Sequence, residues 1–505
     1  MKKLFLLHLL LPISIFTFSQ KTAQKPNIIV FLVDDMGWQD CSVPFYKERT
    51  PWNDIYHTPN MARLAASGVK MTHAYSAAVC TPTRVSLLTG MNPTRHRVTN
   101  WTLRKNTPTD SKSEIFEIPK WNVNGLSPHS GLENAVHATT LPAVLKQNGY
   151  FNIHVGKAHF GALETLGAEP RNLGFDINIG GTAAGQPGSY RGLDSFRQKN
   201  DKENIWWVPH LQKYWGKDIF ITEALTQEAQ LALDTARQTG KPFFLYFGQY
   251  AIHTPIMADN RYVQKYYNKG LDTIEAKYAS LIEGMDKSLG DIMDYLDKNN
   301  LTQNTIIIFT SDNGGLSAVA RGGKPNTHNT PLRSGKGSAY EGGVRVPFIV
   351  KWPSVLEAGT TNAENIIVED LFPTILQMAG ISKPNTIQKV DGENAIPIFK
   401  KKESNDKRYF YWHYPNVWGP KGAMLEMYSA IRQGDWKLIY AYNDQHFELY
   451  NTATDISEKQ NLVEKRKDIA RKLAKKLGQR LRECGSDMPI DKKTKQKVPY
   501  PDEKI

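Results

Sequence analysis

Three short stretches of this chain are apolar without interruption, and they limit its fold more than any other feature. Asn27-Ile28-Ile29-Val30-Phe31-Leu32-Val33, Phe243-Phe244-Leu245-Tyr246-Phe247 and Thr305-Ile306-Ile307-Ile308-Phe309-Thr310 lack the apolar–polar alternation of a half-exposed strand. Runs of this kind read as strands buried on both faces, the situation of a sheet covered by helices on either side. Helical patterns fall between them, at Asn60–Ser67, Thr140–Asn148, Asp218–Arg237 and Ala276–Leu296. Phe151–Val155 and Val344–Val350 read as further strands. The chain therefore predicts an α/β architecture, and 505 residues with 40% hydrophobic and 22% charged content can build a large core. From about Thr386 the alternation stops; Arg408–Tyr414, Tyr428–Arg432, Trp436–Tyr442 and Glu448–Tyr450 read as short strands and Lys465–Arg482 as a helix. The expected organisation is a large domain over 20–385 and a smaller α+β subdomain over 386–505, its antiparallel sheet packed on the first.

Polar residues stand where the buried strands end. The first run leads into Asp34-Asp35-Met36-Gly37 and the third into Ser311-Asp312-Asn313-Gly314-Gly315. Adjacent carboxylates at the end of a buried strand repel one another and are costly without a cation. The carboxyl edge of an α/β sheet is also where ligands bind. The donors there are oxygens, and no Cys or His cluster has zinc-like spacing, so the expected ion is calcium, with magnesium second. The strand at Phe151 leads into Gly156-Lys157-Ala158-His159-Phe160-Gly161. The strand at Phe243 leads to Ala251-Ile252-His253-Thr254-Pro255. A glycine-rich stretch with Lys336 precedes Val344. Glycines there let the backbone approach a ligand closely, and Lys336 adds positive charge.

Cys80 lies in Ala77-Ala78-Val79-Cys80-Thr81-Pro82-Thr83-Arg84-Val85-Ser86-Leu87-Leu88-Thr89-Gly90. Pro82 suits a first helical turn and Gly90 a C-cap, which puts Cys80 at or just before a helix N-terminus. Amide donors and the helix dipole favour negative charge at that point, and Arg84 follows four residues on, within reach of position 80. A cysteine so placed is a candidate reactive group.

The pentapeptide Cys80-Thr81-Pro82-Thr83-Arg84 resembles the C-x-P-x-R signature of the type I sulfatases. That resemblance implies an alkaline-phosphatase-like α/β fold, a large mixed sheet sandwiched by helices with a smaller C-terminal α+β subdomain. It also implies that Cys80 is oxidised to formylglycine (3-oxoalanine) by a formylglycine-generating maturation enzyme, and that the hydrated aldehyde is the nucleophile. On the same footing Asp34, Asp35, Asp312 and Asn313 correspond to the calcium ligands, completed by the modified Cys80. Arg84 corresponds to the residue that orients the formylglycine. Lys157 and His159 fall on the family's G-K-x-H segment, and His253 and Lys336 on its later His and Lys. The implied roles are a proton donor to the leaving alcohol for His253, a proton acceptor for His159, and charge stabilisation for Lys157 and Lys336. Ala158 stands where an aromatic is frequent in the family, and Thr83 replaces the commoner Ser or Ala.

The implied activity is a sulfuric ester hydrolase acting on a sulfated polysaccharide or oligosaccharide, either algal, such as ulvan or carrageenan, or a glycosaminoglycan. A net charge of +13 agrees with a polyanionic partner. No zinc-finger or single-strand-binding signature points to nucleic acid. Two other readings are a phosphomonoesterase or phosphodiesterase of the same superfold, which typically uses Ser or Thr and zinc, and an inactive glycan-binding homologue. Lys2 and Lys3 followed by the apolar Leu4–Phe18 read as a signal peptide over 1–19, so the expected protein is exported, periplasmic or secreted, with no stable membrane anchor. Cys41 and Cys484 are the other cysteines, and a bridge between them is open. Trp101, Arg104, His413 and Trp418, in the Trp101–Ser130 segment and the aromatic Tyr409–Trp418 stretch, are candidates for a sugar-binding rim.

Overall fold

The computed structural model describes residues 24–317, 319–323, 329–418 and 427–505, so the expected signal segment over 1–19 lies outside the described residues. Eight strands form one sheet: β1 (Asn27–Val33), β2 (Val69–Tyr75), β3 (Phe151–Gly156), β4 (Ile177–Ile179), β5 (Phe243–Gly248), β6 (Thr305–Ser311), β7 (Arg345–Lys351) and β8 (Thr360–Ile367). Their spatial order is β8-β2-β7-β6-β1-β5-β3-β4. All neighbours are parallel except β7, which runs antiparallel to both β2 and β6. The sheet is thus mixed, and the three apolar runs lie together at its centre as β6-β1-β5.

Every residue of β1 is buried, and the reason lies in the two layers that cover it. Ile28, Val30 and Leu32 join one core with Val85, Leu88, Leu145 and Phe372. Ile29, Phe31 and Val33 join the other with residues of the long helices Ile221–Gln238 and Thr273–Lys298. A strand whose odd and even residues both meet helices has no polar face to display. The Leu271–Asn299 segment, legible in the sequence as one or two helices, is a single helix from Thr273 to Lys298, capped by Asp272, whose carboxylate accepts from the amides of Ile274 and Glu275.

β9 (Tyr409–Tyr414), β10 (Tyr428–Gln433), β11 (Trp436–Ala441) and β12 (Phe447–Asn451) form an antiparallel meander. A third core lies between this sheet and the helix Lys467–Glu483, where Ile431 and Leu438 meet Leu473 and Leu477. The lysines of that helix face outward, whereas Arg480 turns inward and pairs with Asp391 at 3.0 Å. The meander's other face joins the first core through Phe410, Trp412 and Tyr428. Cys41, Cys80 and Cys484 are all free thiols, so the possible Cys41–Cys484 bridge is not formed. Among the described residues no helix is long and apolar enough to cross a membrane.

Candidate active site

Cys80 opens the helix Cys80–Thr89, which ends at Gly90 in a left-handed conformation (φ 70°) with its N–H bonded to the Ser86 carbonyl. Only glycine takes that conformation without a steric cost, which explains the clean stop. All ten residues of the helix are buried. Thr83 Oγ1 accepts from the Ala77 amide at 2.9 Å and fixes the entry turn. The Cys80 Sγ lies 3.4 Å from Nδ1 of His159. Nε2 of His159 lies 2.8 Å from the Thr102 carbonyl oxygen, which can only accept. Nε2 therefore carries the proton, and the lone pair of Nδ1 faces position 80. His159 has a positive φ of 55°, so the Lys157–His159 segment is not extended as alternation would have it, yet both side chains reach the site. Gly185 approaches the ring closely; a Cβ there would come within 2.7 Å of it. Burial, reinforced by Lys157, holds the His159 imidazole neutral, well below the usual histidine range. Burial also pushes the Cys80 thiol up.

Beside this pair, β1 and β6 deliver the acids together because they are parallel neighbours in register, Val33 opposite Ser311. Asp34 Oδ2 accepts from Lys157 Nζ at 2.7 Å. Asp35 Oδ1 accepts from Lys336 Nζ at 2.5 Å and from Asn313 Nδ2 at 2.8 Å. Asp312 Oδ2 takes two donors of Arg84, Nε at 3.0 Å and Nη2 at 2.8 Å, while its Oδ1 accepts from the Asp35 amide at 3.2 Å. Arg84 Nη1 donates to the Lys157 carbonyl at 2.9 Å. Arg84 thus secures Asp312 and the Lys157 backbone, and its hydrogen bonds among the described residues do not include Cys80.

Three carboxylates face three cations, all buried. Even so, Asp34 Oδ1, Asp35 Oδ2 and Asn313 Oδ1 are buried without a hydrogen-bond partner. Buried oxygens are rarely left in that state, because each costs roughly 1–3 kcal/mol. Asp34, Asp35 and His253 offer ligand atoms within 4.8 Å of one another. His253 Nε2 lies 3.6 Å from Asp35 Oδ2, and its Nδ1 lies 3.0 Å from the Thr254 carbonyl. With Nδ1 protonated toward that carbonyl, Nε2 and Oδ2 are two lone pairs turned toward each other, an arrangement a cation relieves. Burial, with repulsion from Asp312, raises Asp34 well above the carboxylate range. Burial opposes ionisation of Asp35 as well, but Lys336 outweighs it and holds that carboxyl low. Burial brings His253 down to about 3. The orphaned oxygens are hard donors, and they fit calcium or magnesium. The sequence-derived ligand set is therefore assembled at one point, with the free oxygens on Asp34, Asp35 and Asn313 and with Asp312 already held by Arg84.

A cavity of about 370 Å³ opens over Cys80, His159, His253 and Lys336. Its rim carries Trp101, Trp206 and Trp418, the last with its ring 5.2 Å from Lys336 Nζ. Trp101 and Trp418 were expected there. Trp206 was not; its signal was the Trp206-Trp207 pair inside an otherwise polar loop. The other two rim candidates lie elsewhere. Arg104 is exposed and paired with Glu203 at 2.5 Å. His413 is buried between strands, with Nδ1 2.8 Å from Ser429 Oγ and 3.1 Å from the Tyr442 hydroxyl. The aromatic residues of β9 are likewise packing residues, because one side of that strand faces the first core and Tyr409 and Tyr411 face the terminal helix.

Residues 26–381 match the family model described as Sulfatase, and residues 335–486 match the one described as N-sulphoglucosamine sulphohydrolase, C-terminal. The chain is 29% identical to a Sulfatase of Formosa agariphila, covering 95% of this chain and 92% of that one. It is 31% identical to the N-acetylgalactosamine-6-sulfatase of Mus musculus, over 87% of this chain and 76% of that protein. Among solved structures, Ps i-CgsB superposes with a TM-score of 0.71 at 28% identity, covering 92% of this chain and 94% of that one. The same protein has been solved in complex with k-i-k-neocarrahexaose. A phosphonate monoester hydrolase of Agrobacterium radiobacter shares the fold, with a TM-score of 0.58 at 17% identity.

Proposed function

The chain belongs to the sulfatase family, and from that membership and the geometry over Cys80 we propose that it is an exported sulfuric ester hydrolase, formylglycine- and calcium-dependent, that removes sulfate from a sulfated polysaccharide or its oligosaccharides. One observation carries the reading: three unpartnered buried oxygens, on Asp34, Asp35 and Asn313, lie beside a Cys80–His159 pair whose imidazole lone pair faces position 80. An ester-binding cavity of about 370 Å³ stands above them.

Asp34, Asp35, Asn313 and Asp312 would hold the cation, which supplies positive charge against the sulfuryl oxygens, while formylglycine at position 80 supplies the hydroxyl nucleophile. Thr102 fixes the His159 tautomer, so Nδ1 is an acceptor for a proton leaving the group at position 80. Lys336, kept charged by Asp35 against the cost of burial, and Lys157 on Asp34 provide the fixed positive charge around the ester. His253 stands on the Asp35 side of the cavity, and only with Nε2 protonated as well as Nδ1 would it donate to the leaving alcohol. Arg84 ties Asp312 to the Lys157 backbone and so sets the spacing between the two halves of the site.

The tryptophans of the rim offer apolar faces to a pyranose ring, which supports a carbohydrate rather than a small aryl ester. The names of the relatives support a sulfated hexose or hexosamine residue, with an algal polysaccharide slightly preferred over a glycosaminoglycan. The basic, then apolar, first nineteen residues support export. The deciding experiment has two readouts. Mass spectrometry of the peptide containing residue 80 should show a loss of about 18 Da relative to cysteine. Chelation should lower both sulfate release and the thermal midpoint, and calcium should restore both. Unmodified cysteine in fully active protein, or stoichiometric zinc with no calcium response, would refute the reading. The Cys80→Ala chain should keep the calcium-dependent rise in midpoint while releasing no sulfate.

A further inference from the structure

A second cavity, of about 770 Å³, shares no lining residue with the one over Cys80. It lies on the β8-β2-β7 edge of the large sheet. Val69 and Met71 of β2 point into the first core, whereas Lys70 and Thr72 point to the opposite face. Near the sheet's centre that opposite face is covered by the two long helices. At this edge the cover is replaced by two loops, one running from Trp38 to Lys47 and the other from Thr452 to Ile456, with the cleft between them.

The walls are basic. Lys47, Lys70 and Arg345 line the cleft, against a single carboxylate, Asp435. Lys70 uses one donor on the Pro44 carbonyl, at 2.5 Å. Arg345 donates through Nε to the Thr72 carbonyl at 2.7 Å and through Nη1 to Glu341 at 3.3 Å and lies 4.3 Å over the Trp38 ring, while its Nη2 has no hydrogen-bond partner among the described residues. Its counter-ion is shared, because Glu341 also pairs with Lys437 at 2.9 Å and Arg432 at 3.5 Å. Arg432, which bonds the wall residue Thr452 through Nη1, leaves Nη2 buried without a partner. Glu458, also buried, pairs with Lys437 at 3.0 Å, so Arg345, Arg432 and Lys437 face two buried acids and positive charge is in excess by one behind this wall. His73 stands in the same wall, and burial, then Arg345 and Arg432, hold its imidazole far below the usual range.

We propose that this cleft binds a second anionic unit of the sulfated saccharide chain whose ester is cleaved over Cys80, an inference that rests on the proposed function. Lys70 Nζ and Arg345 Nη2 are the donors for its sulfate or carboxylate oxygens, and Thr361 is a wall hydroxyl within the same cleft. The half-buried Tyr46 supplies an aromatic surface for a sugar ring. The volume falls within the range of about 300–1,000 Å³ found for ligand pockets. A polymer held at a second point gains effective concentration at the first, so this site acts on long substrates and leaves short ones unaffected.

The test compares a sulfated polysaccharide with a single sulfated sugar. Lys47→Ala with Lys70→Ala removes the cationic wall, and Thr361→Trp fills the cleft without touching a charge. Both variants should raise KM for the polymer about tenfold, the loss of one charge-assisted contact. KM for the single sugar, kcat on either substrate and the calcium-dependent thermal midpoint should not change. Equal polymer KM in wild type and both variants overturns the proposal, and so does an equal rise for polymer and single sugar. Calorimetry on the Cys80→Ala chain provides a readout independent of turnover. A sulfated oligosaccharide should titrate a second site that its desulfated form and inorganic sulfate do not, and that Thr361→Trp abolishes; a single site in both chains also overturns the proposal. Should wild type release no sulfate from any glycan, the proposed function fails, whereas normal release with unaltered variants fails this inference alone.

Discussion

Arg84 offers the sharpest quantitative test of how the site is held. Its guanidinium is fully buried and gives two hydrogen bonds to Asp312 Oδ2, at 3.0 and 2.8 Å, and one to the Lys157 carbonyl at 2.9 Å. Asp312 is itself fully buried. Replacing Arg84 by Met keeps much of the volume and strands the carboxylate. Breaking a buried pair in this way costs about 3–5 kcal/mol, most of it the unpaired charge left behind. Adding Asp312→Asn should recover most of that loss, since the amide oxygen can still accept from the Asp35 N–H, and the double variant lacks the stranded charge. The assay is urea unfolding followed by tryptophan fluorescence in the presence of chelator, with wild type, both single variants and the double variant forming a cycle. Calcium should narrow the gap between Arg84→Met and wild type, because a cation compensates the same carboxylates and binds only the folded state. A loss below about 1 kcal/mol for Arg84→Met, or a double variant no more stable than Arg84→Met, would refute the account of Arg84 as the counter-ion that makes Asp312 tolerable. Sulfate release should fall by roughly 100-fold or more in Arg84→Met even with calcium, because the Lys157–His159 backbone loses its anchor.

Glu369 is buried between Asn92 and Asp370, and burial with that like-charge neighbour raises its carboxyl to about 7. The folded chain therefore binds a proton that the unfolded chain has released between about 4.5 and 7, so this group's contribution falls as pH rises through that window, by up to roughly 3 kcal/mol. Glu369→Gln should flatten the decline in unfolding free energy between pH 5 and 8 and be the more stable chain at pH 8; an unchanged slope would count against the assignment. Trp206→Ala should lower kcat/KM on sulfated oligosaccharides about two- to tenfold, the value of one aromatic face, with little change on a nitrophenyl sulfate; equal losses on both would make Trp206 a structural residue.

The central strands were legible because both their faces are buried, which removes the ambiguity that alternation leaves. β2 and β8 lie toward the sheet's edge, and Lys70, Thr72, Thr361 and Glu364 interrupt their apolar pattern, so nothing in Val69–Tyr75 or Thr360–Ile367 stands out from a loop. β4 is three residues long and too short to carry a period. The helix Leu371–Met378 follows the short turn Val368–Asp370 directly after β8, and its apolar composition masks its period. The polar residues of the site were legible for the same reason as the strands: a carboxylate after a buried run is costly and needs a cause. Their mutual geometry was not. That Arg84 binds Asp312 rather than position 80, and that His159 takes a left-handed conformation, depend on contacts 228 and 79 residues apart in sequence. Trp206 stands in a loop, and the cleft at Lys70 is closed by the loops over the sheet edge, whose course sequence periodicity does not describe.

The break in strand–helix alternation near residue 386 suggests that the chain's chemistry ends before the antiparallel sheet begins, and the contacts of the Lys336 loop argue otherwise. Arg333 Nη1 donates to the Glu458 carbonyl at 2.8 Å and to the Tyr450 hydroxyl at 3.0 Å. The Tyr340 hydroxyl donates to Glu448 at 2.9 Å, and the Glu341 amide donates to Glu458 at 2.7 Å. Lys437 of β11 bridges Glu341 and Glu458, at 2.9 and 3.0 Å, with all three side chains buried. Trp418 packs against Gly337, whose φ of 90° and lack of a Cβ bring the ring over Lys336. Lys336 thus reaches Asp35 from a loop whose two ends are gripped by the meander and the turn after it. Removing a buried partner from such a network strands the others, so the loop has one stable course rather than several. The break at residue 386 is therefore a change of topology within one site: the large sheet brings the acids beside Cys80, and the antiparallel sheet holds the lysine that faces them.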